Sequence, residues 1–474
     1  MGWFSVNETD DEQPPGEEAL LRIRQGQEIH ERARCIRHEG VFAGKPAKTA
    51  ALMKDRRTKL IFEAAFEVDG YAARADMLKR MAGGFGIIEV KSSLHNDKKA
   101  KRDLIDDLAY TTMVLRRAGV KIVNAELLLL SKDWRLGKPD KGLFVASDHT
   151  KAVLARADEF DESWTAALKA VSGRKMLAAR PVFACKHCDF SQSHCIWKRV
   201  RDPIFELPRL SEKKFDALAE TTVLTIRGIP ADFELTAPQE RVRTAVVTGK
   251  PWLERAALKK LLAEVSWPAF YLDFESVSTA LPLWPGVAPH EQVLTQYSVH
   301  VCGKPGKVKV HKEFLADPNR DCRRELAERL LADTKGRGSV IVYSGFEKSR
   351  IKELAAQFPK LAKALKALLK RLFDLERVFK QAYYHPDFRG KSSIKKTLPV
   401  MIPGMDYEGL EIGDGGEAVA AFARMAEGAC DAAEEAMLRN ALLAYCGQDT
   451  LAMVKLHEVA ARLGIRRRNG CSAH

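Results

Sequence analysis

The sequence predicts an α/β protein built from two α/β domains and a helical connector. Apolar, strand-like runs alternate with helical stretches before residue 200, and prolines then punctuate the chain. A second set of apolar runs begins after Trp267. The 474 residues are 46% hydrophobic and 30% charged, which is ordinary for globular chains and enough for two or three domains. We predict domains at 17–200, 201–265 (the connector) and 266–465.

The first domain is predicted to read helix, three strands, helix, strand. We expect a helix near 17–37, strands between 60 and 90, a helix at 97–118 and a strand through 120–131. Residues 150–200 are predicted to be helical and to end in a cysteine cluster.

The rest of the chain supplies the connector and the second α/β pattern. Short helices are predicted at 212–220 and 252–265. The runs AFYLDFES and VIVYSG are apolar enough for buried strands. Further elements are predicted as strands near 292–302 and 307–314, a helix at 320–333, a basic helical stretch at 347–382 and a closing helix at 434–463.

Charge and cysteine content restrict the function classes. The formal net charge of +14 favours a polyanionic partner such as nucleic acid. The longest apolar run, 122–130, is far shorter than the roughly 20 residues of a membrane span, and the acidic start has no apolar export core. The nine cysteines are an odd number spread over a long chain, which does not indicate a disulfide framework. We expect a cytoplasmic protein with no membrane association and leave its protein partners open.

Two acids and a lysine form the first candidate site. Asp76 lies on or just after a strand-like run, and Glu89 and Lys91 project to one face of the next apolar strand. The 13-residue separation of Asp76 and Glu89 allows a turn and a returning strand. Carboxylate oxygens bind Mg²⁺ or Mn²⁺, and a nearby ammonium can position a water against a phosphodiester. A solvated, salt-bridged charged edge is the alternative interpretation of this trio.

The trio resembles the PD-(D/E)xK nuclease superfamily, in the branch of the RecB-like exonucleases. The resemblance implies that His30, four residues after Gly26, is a further metal ligand. Under the same resemblance, Glu63 stands where the family often has an acidic residue, and Tyr110 stands at the tyrosine of a helix motif. The family's Gln-x-x-x-Tyr motif reads Asp106-x-x-x-Tyr110 here, so this chain departs from it at Asp106.

Three cysteines, Cys185, Cys188 and Cys195, are spaced like most of a soft-metal site. Resemblance to iron–sulfur RecB-like nucleases implies a 4Fe–4S cluster, whose fourth cysteine this chain lacks before His30. A Zn²⁺ site completed by His194 or Cys35 is the alternative, and three reduced thiols on a loop are the simplest one.

A second group of acids lies in the last domain. Asp273 and Glu275 share one face of an apolar strand, and Asp449 follows Tyr445 by four residues. Glu347 begins a predicted helix and Asp374 follows an apolar pair. Half-buried acids are costly unless cations neutralise them, and a pair of divalent ions does so while promoting phosphodiester cleavage.

The order of these acids resembles the DEDD exonucleases of the ribonuclease H-like superfamily. The resemblance implies that Asp273, Glu275 and Asp449 hold metal and that Tyr445 orients the nucleophilic water. The second motif is ambiguous because Ser344 stands near the expected Asn, so Glu347 and Asp374 compete for the remaining acid.

A basic loop precedes the closing part of the domain. It carries Arg389, Lys391, Lys395 and Lys396, which could grip a nucleic-acid backbone through its phosphates. A merely solvated loop is the alternative.

The combination resembles a bacterial two-domain family that pairs a RecB-like domain and a three-cysteine element with a DEDD-type domain of unknown function. The resemblance covers nearly all of the chain after about residue 17. We therefore predict a Mg²⁺- or Mn²⁺-dependent nuclease, more specifically an exonuclease, with DNA favoured over RNA. The alternatives are a nucleic-acid-binding scaffold with partly degenerate nuclease domains and, from a third class, a zinc-ribbon regulator.

Overall fold

The computed structural model describes residues 14–96, 101–173, 178–188 and 190–465. These residues form two compact units of mixed α/β structure, so the predicted α/β class is confirmed. Among the described residues, the first unit combines those within 14–173 with Ser278–Gln292, and the second combines those within Ala178–Val277 with those within 293–465. The cysteine segment thus groups with the second unit, whereas the predicted boundary lay at residue 200.

The first unit contains one six-stranded mixed sheet in the order β1-β2-β3-β4-β5-β6. The β1–β2 and β4–β5 pairs are parallel and the other pairs are antiparallel. Its elements are α1 (Glu17–Cys35), β1 (Gly40–Phe42), α2 (Pro46–Lys54), β2 (Leu60–Val68), β3 (Tyr71–Met81), β4 (Gly84–Leu94), α3 (Arg102–Arg117), β5 (Ile122–Leu130), β6 (Phe144–Asp148) and α4 (Thr150–Ser172).

Both faces of this sheet are covered because successive strand residues point to opposite sides. On one face, Ile87 of β4 packs in a cluster with Leu108 of α3. On the other face, its neighbour Ile88 packs with Ile29 of α1. The two apolar layers fix α1 and α3 on the strands that carry the predicted acids.

The second unit contains a five-stranded sheet in the order β10-β9-β8-β11-β12. The strands β8, β11 and β12 are parallel, and β9 runs antiparallel to both of its neighbours. The main elements are β8 (Ala269–Val277), β9 (Val293–Cys302), β10 (Val308–Leu315), α9 (Arg323–Asp333), β11 (Val340–Val342), α10 (Phe346–Gln357), α11 (Ala362–Leu369), β12 (Leu372–Asp374), α12 (Glu376–Gln381), β13 (Tyr383–Tyr384), α13 (Ile394–Met401), α14 (Gly415–Ala426) and α15 (Ala432–Gly464).

The predicted connector is part of the second unit's core. Phe215, Val242 and Leu258 lie in the same buried cluster as Tyr271 of β8 and Met453 of α15. These apolar helix faces are buried here because short helices gain most of their stability from packing. The elements before β8 are α5 (Phe190–Ser193), α6 (Glu212–Glu220), α7 (Ala237–Thr248), β7 (Trp252–Leu253) and α8 (Arg255–Leu262).

Two of the predicted helical stretches are wrong in extent. The stretch 347–382 is broken into α10, α11, β12 and α12, since Pro359 cannot continue α10 and the apolar residues 372–374 pair with β11. The long helix predicted over 150–200 ends at Ser172, and the described residues around the cysteines form only the four-residue α5 and short 3₁₀ helices. Among the helices of the described residues, none combines the length and the apolar character needed to cross a bilayer.

Candidate active sites

The first candidate site forms where α1 meets β2, β3 and β4. The half-buried His30 follows the fully buried Ile29 on α1. Residues on either side of Glu63 pair with residues on either side of Asp76, so these two acids lie opposite each other on β2 and β3. The backbone N–H of Val90, next to Glu89 on β4, donates a 2.8 Å hydrogen bond to Asp76 Oδ2. Four separate elements therefore bring their polar side chains to one place.

The ligand atoms of the first site are close enough to share one cation. One donor atom each from His30, Glu63 and Asp76 lies within 4.8 Å of the other two. His30 Nδ1 is 3.6 Å from Asp76 Oδ1. Lys91 Nζ is 3.1 Å from Glu89 Oε1. These residues could hold a divalent ion, with Lys91 beside it.

Burial makes the acids of this site hard to ionise without a cation. Burial raises the pKa of Asp76 despite the nearby His30. Burial and the Asp76 carboxylate raise the pKa of Glu89 to about 7. Glu89 is only 8% exposed, and its Oε2 has no hydrogen-bond partner in the structure. An orphaned buried carboxylate oxygen fits the donor set of a hard divalent ion.

Lys91 forms ion pairs with two carboxylates, those of Glu89 and Asp107. Burial lowers the pKa of Lys91, but Glu89 and Asp107 outweigh that effect, and the net shift is upward. Asp107 Oδ2 on α3 is 3.0 Å from Lys91 Nζ and is a contact that the sequence analysis missed. The adjacent motif residue, Asp106, instead accepts a 2.7 Å hydrogen bond from Arg156 Nε. The only feature of the sequence that could have indicated the contact of Asp107 with Lys91 is that Asp107 directly follows the motif position Asp106.

Tyr110 and Glu63 have other partners in the structure. The Tyr110 hydroxyl donates to the Ala72 carbonyl at 3.1 Å, so it bonds to the β3 backbone and not to the acids. Glu63 accepts a 3.0 Å hydrogen bond from Arg34 and lies 3.3 Å from Arg74 Nε. The first site thus carries several cationic side chains among its acids.

The second candidate site is a cleft of about 290 Å³ in the second unit. Five acids line it together with Lys395 and Tyr445; these acids are Asp273, Glu275, Glu347, Glu376 and Asp449. Glu376 pairs with Lys380 and accepts a 2.7 Å hydrogen bond from Ser392 Oγ, so the other four acids are the candidate metal ligands. Asp273 and Glu275 alternate on β8 and point to one face of the strand. Glu347 comes from the first turn of α10, and Asp449 and Tyr445 come from one face of α15.

The acids of the cleft raise one another's pKa. Burial, then Asp449, Glu275 and Glu347, raise the pKa of Asp273 well above its ordinary value. Burial and neighbouring carboxylates raise the pKa of Glu275 to about 8, and burial does most to raise that of Glu347 to about 8. Burial also raises the pKa of Asp449 to about 6. Divalent cations would relieve this repulsion, and the buried Glu347 Oε2 has no hydrogen-bond partner among the described residues.

Asp374, the competitor of Glu347, has a different role in the structure. Its Oδ1 accepts hydrogen bonds from the backbone N–H groups of Ser344 and Glu376, each at 3.0 Å. Ser344 has a φ of 96°, a conformation that side chains other than glycine rarely adopt, and the Asp374 bond holds it there. Asp374 therefore supports the loop before α10, and Glu347 lines the cleft.

Tyr407, Lys395 and Cys446 complete the surroundings of the cleft. The Tyr407 hydroxyl donates a short hydrogen bond to Asp449 Oδ1. Lys395 Nζ lies 5.0 Å and 5.2 Å from the ring centres of Tyr445 and Tyr407. The Cys446 thiol donates to Asp273 Oδ2 at 3.6 Å. Tyr407 lies in an irregular segment, so no spacing in the sequence could have linked it to Asp449.

The predicted nucleic-acid-binding loop divides into two parts. Lys395 is half-buried in the cleft, where its Nζ also donates to the Gly413 carbonyl at 2.8 Å. Arg389, Lys391 and Lys396 are exposed on the surface. The structure thus brings Lys395 to the acids and leaves the other three side chains in solvent.

The cysteines do not form a compact ligand set among the described residues. Cys185, Cys188 and Cys195 are free and half-buried, and they are not among the groups whose donor atoms lie within 4.8 Å of one another. Cys35 is exposed and belongs to the first unit. This arrangement does not fit a preformed iron–sulfur or zinc site, so no chemistry is derived from one.

Comparisons with known proteins identify part of the second unit. Residues 270–393 match the protein family described as "Domain of unknown function (DUF2779)". The matched segment contains Asp273, Glu275 and Glu347 and ends before Lys395 and Asp449. A search of curated proteins gives no match.

One solved structure, a crystal structure of SSO0001, has 14% sequence identity to this chain. The likeness covers 41% of this chain and 92% of that chain, with a TM-score of 0.16. At that TM-score the likeness supports no inference about fold or function.

Proposed function

We propose that the protein is a metal-dependent nuclease that hydrolyses phosphodiester bonds of nucleic acid, with DNA favoured over RNA. The convergence of Asp273, Glu275, Glu347 and Asp449 on one cleft carries the proposal. Four acids with raised pKa values and an unpartnered buried oxygen call for cations. Two divalent ions held by such a set stabilise the attacking and leaving oxygens of a phosphodiester.

The residues of the cleft have distinct roles under this proposal. The four acids would bind Mg²⁺ or Mn²⁺, which supplies Lewis-acid chemistry when bound. Tyr445 would orient the attacking water, and Lys395 would contact a phosphate oxygen of the substrate. Tyr407 would hold Asp449 in position through its hydrogen bond. The strand order β10-β9-β8-β11-β12 supports a ribonuclease H-like fold for this unit.

The first unit is proposed as a second centre with a restriction-endonuclease-like fold. His30, Asp76 and Glu89 would hold a metal ion, and Lys91 would assist the water. The support is the shared donor group of His30, Glu63 and Asp76 together with the orphaned Oε2 of Glu89. The 3.1 Å ion pair between Lys91 and Glu89 keeps the ammonium beside the acids.

A digestion experiment tests the proposal. End-labelled single- and double-stranded DNA and RNA are incubated with the full chain in Mg²⁺, Mn²⁺ or EDTA. We expect cleavage that requires the divalent ion and is lost from one centre in Asp273→Ala and from the other in Asp76→Ala. Asp374→Asn is the matched control, since that acid lies outside the cleft lining.

The products distinguish the competing functions. Shortening from one end supports an exonuclease, and internal cuts support an endonuclease. Tight binding without cleavage in any metal contradicts the proposal and favours a nucleic-acid-binding scaffold. The altered motif residue Asp106, engaged by Arg156, is the observation that favours that alternative.

A metal at the three cysteines stays a prediction with its own test. Anaerobic purification followed by metal analysis and a visible spectrum separates an iron–sulfur cluster, which absorbs visible light, from zinc. Protein free of both metals would contradict it.

A further inference from the structure

The first unit also contains a cavity of about 530 Å³, whose lining residues differ from those of both acidic sites. It lies where β4 ends and α3 begins, and Ser93, Leu94 and Leu104 form part of its wall. None of the described residues that line it is acidic. Its titratable and hydroxyl side chains include His95, His149, His290, Lys101, Lys132 and Ser147.

Two of the imidazoles are held in fixed orientations. His149 Nε2 is 2.9 Å from Ser147 Oγ. His290 Nε2 donates to the Ser92 carbonyl at 2.7 Å, because a carbonyl can only accept. These bonds pre-position the rings before any ligand arrives.

The backbone of His290 is also restrained. Its φ of 55° is uncommon for a residue other than glycine. The His290 N–H donates to the Thr279 carbonyl at 2.8 Å, and its carbonyl accepts from Ser278 Oγ at 3.1 Å. Three hydrogen bonds, one from the ring and two from the backbone, thus keep His290 at the wall of the cavity.

Eight of the eleven described lining residues have polar side chains, two of them lysines, and the other three are leucines. Lys101 and Lys132 carry ammonium groups. The hydrogen bond between His149 and Ser147 uses one donor hydrogen and leaves one N–H or O–H of the pair, whereas the Nε2–H of His290 is already donated to Ser92. Lys101 is also the residue before α3, a 16-residue helix whose first N–H groups favour anions. Ammonium, imidazole and hydroxyl donors together match the oxygens of a phosphate group.

We propose that this cavity binds a phosphate group, as a monoester or diester, and that the phosphate belongs to the nucleic-acid substrate. The identity of the ligand rests on the proposed function. Ser93 follows Glu89 by four residues along β4, about 13 Å at 3.3 Å per residue. A phosphate in the cavity would therefore lie near the first candidate centre and would hold a neighbouring part of the strand.

Binding measured without cleavage tests this site. The probe is a single-stranded DNA with a 5′-phosphate and a 3′-fluorescein, titrated in EDTA with the full chain. The double variant Lys101→Ala/Lys132→Ala is expected to bind about tenfold more weakly. Its slope of log K against log salt should fall by about 0.7–1.4, the change for one or two lost phosphate contacts.

Matched variants separate the cavity from general charge loss. Lys138→Ala/Lys141→Ala removes the same charge from exposed positions of the same unit and should leave the affinity within twofold. His149→Gln should weaken binding with little change in the slope of log K against log salt. This variant keeps the proposal testable if the lysine double variant fails to fold. Equal losses in the two lysine double variants would overturn the proposal.

Competition identifies the source of the phosphate. If the phosphate belongs to the nucleic-acid substrate, unlabelled DNA competes with the probe, whether it carries a 5′-phosphate or only internal phosphodiesters. Inorganic phosphate and a nucleoside 5′-monophosphate then compete only weakly. If wild-type protein binds inorganic phosphate through Lys101 and Lys132 but binds no DNA, the phosphate site stands and the nuclease proposal falls. If the protein cleaves DNA and the lysine variant binds it as tightly as wild type, the phosphate site falls and the nuclease proposal stands.

Discussion

The two acidic sites differ in how their charge is balanced. In the first unit, Asp76 lies beside His30, Glu89 pairs with Lys91, and Glu63 is bound by two arginines. In the second unit, five acids line one cleft whose described lining contains a single cationic side chain, Lys395. One of these acids, Glu376, pairs with Lys380 outside the lining. Folding has therefore neutralised much of the first site and has left the second with an excess of negative charge.

This difference indicates which site depends more on cations. A buried acid without a cation keeps its proton or raises the free energy of the folded state. Glu275 and Glu347 have pKa values of about 8, whereas Glu89 has one of about 7. We expect divalent ions to stabilise the second site more than the first, and the following predictions test that contrast.

The largest expected effect is on activity at the cleft. Glu347→Gln should reduce the hydrolysis attributed to the second site by at least about 100-fold, since loss of even an outer partner of a metal costs 10- to 100-fold. Asp374→Asn should cost only a few-fold in activity, because Asp374 does not line the cleft and an Asn side-chain oxygen can still accept from the backbone N–H groups of Ser344 and Glu376. Rates on end-labelled DNA measure both, and equal losses would contradict the assignment of Glu347.

The next effect is stabilisation by metal. Mn²⁺ at about 100 times its Kd should add about 2.7 kcal/mol to the unfolding free energy for each occupied site. Asp273→Asn should remove more of this gain than Asp76→Asn. Urea unfolding with and without Mn²⁺ checks the order, and a larger loss in Asp76→Asn would reverse the comparison.

A smaller effect is the pH dependence of the metal-free protein. Glu275 and Glu347 keep protons in the folded state up to about pH 8, whereas the unfolded chain releases them near 4.5. Stability should therefore fall as pH rises from about 4.5 to 8, by up to about 1.4 kcal/mol per pH unit for each group. For Glu89 the corresponding fall in stability ends near pH 7.

The pH prediction has its own control. Unfolding in EDTA at several pH values should show a shallower slope in Glu275→Gln than in wild type. Saturating Mn²⁺ should flatten the wild-type slope in the same range, because the ion replaces the protons. A slope unaffected by either change would contradict the account.

The smallest effect concerns Tyr407. Tyr407→Phe removes the hydrogen bond to Asp449 and should cost about 1 kcal/mol in stability and several-fold in activity. It should leave Mn²⁺ binding within tenfold, since all four acids remain. Tyr384→Phe, which removes a hydroxyl bond to the Gly390 N–H outside the cleft lining, is the control for stability without an effect on rate.

Much of the regular structure could be predicted from the sequence, because it follows from periodicity. The predicted helix at 212–220 matches α6, and the alternation around Asp273 and Glu275 matches β8. Short elements without a periodic signal, such as β1 and β6, were missed. The broken helix at 347–382 shows tertiary pairing overriding local helix propensity, since Leu372–Asp374 joins the parallel sheet.

The site was predictable in its acids and not in their partners. Strand alternation placed Asp273 beside Glu275, but the bond from Tyr407 to Asp449 depends on how an irregular segment folds back. Likewise, Asp106 and Asp107 are indistinguishable by composition, and only the packing of α3 decides which one faces Lys91. The choice of Glu347 over Asp374 required coordinates for the same reason.

The most direct test of the central claim is the location of bound ions in Mn²⁺-soaked crystals of the full chain. We predict anomalous peaks in the cleft, within coordination distance of carboxylate oxygens of Asp273, Glu275 and Asp449, and their loss in Asp273→Asn. A cleft that stays free of manganese at saturating concentrations, or whose acids are engaged by protein cations instead, would contradict it.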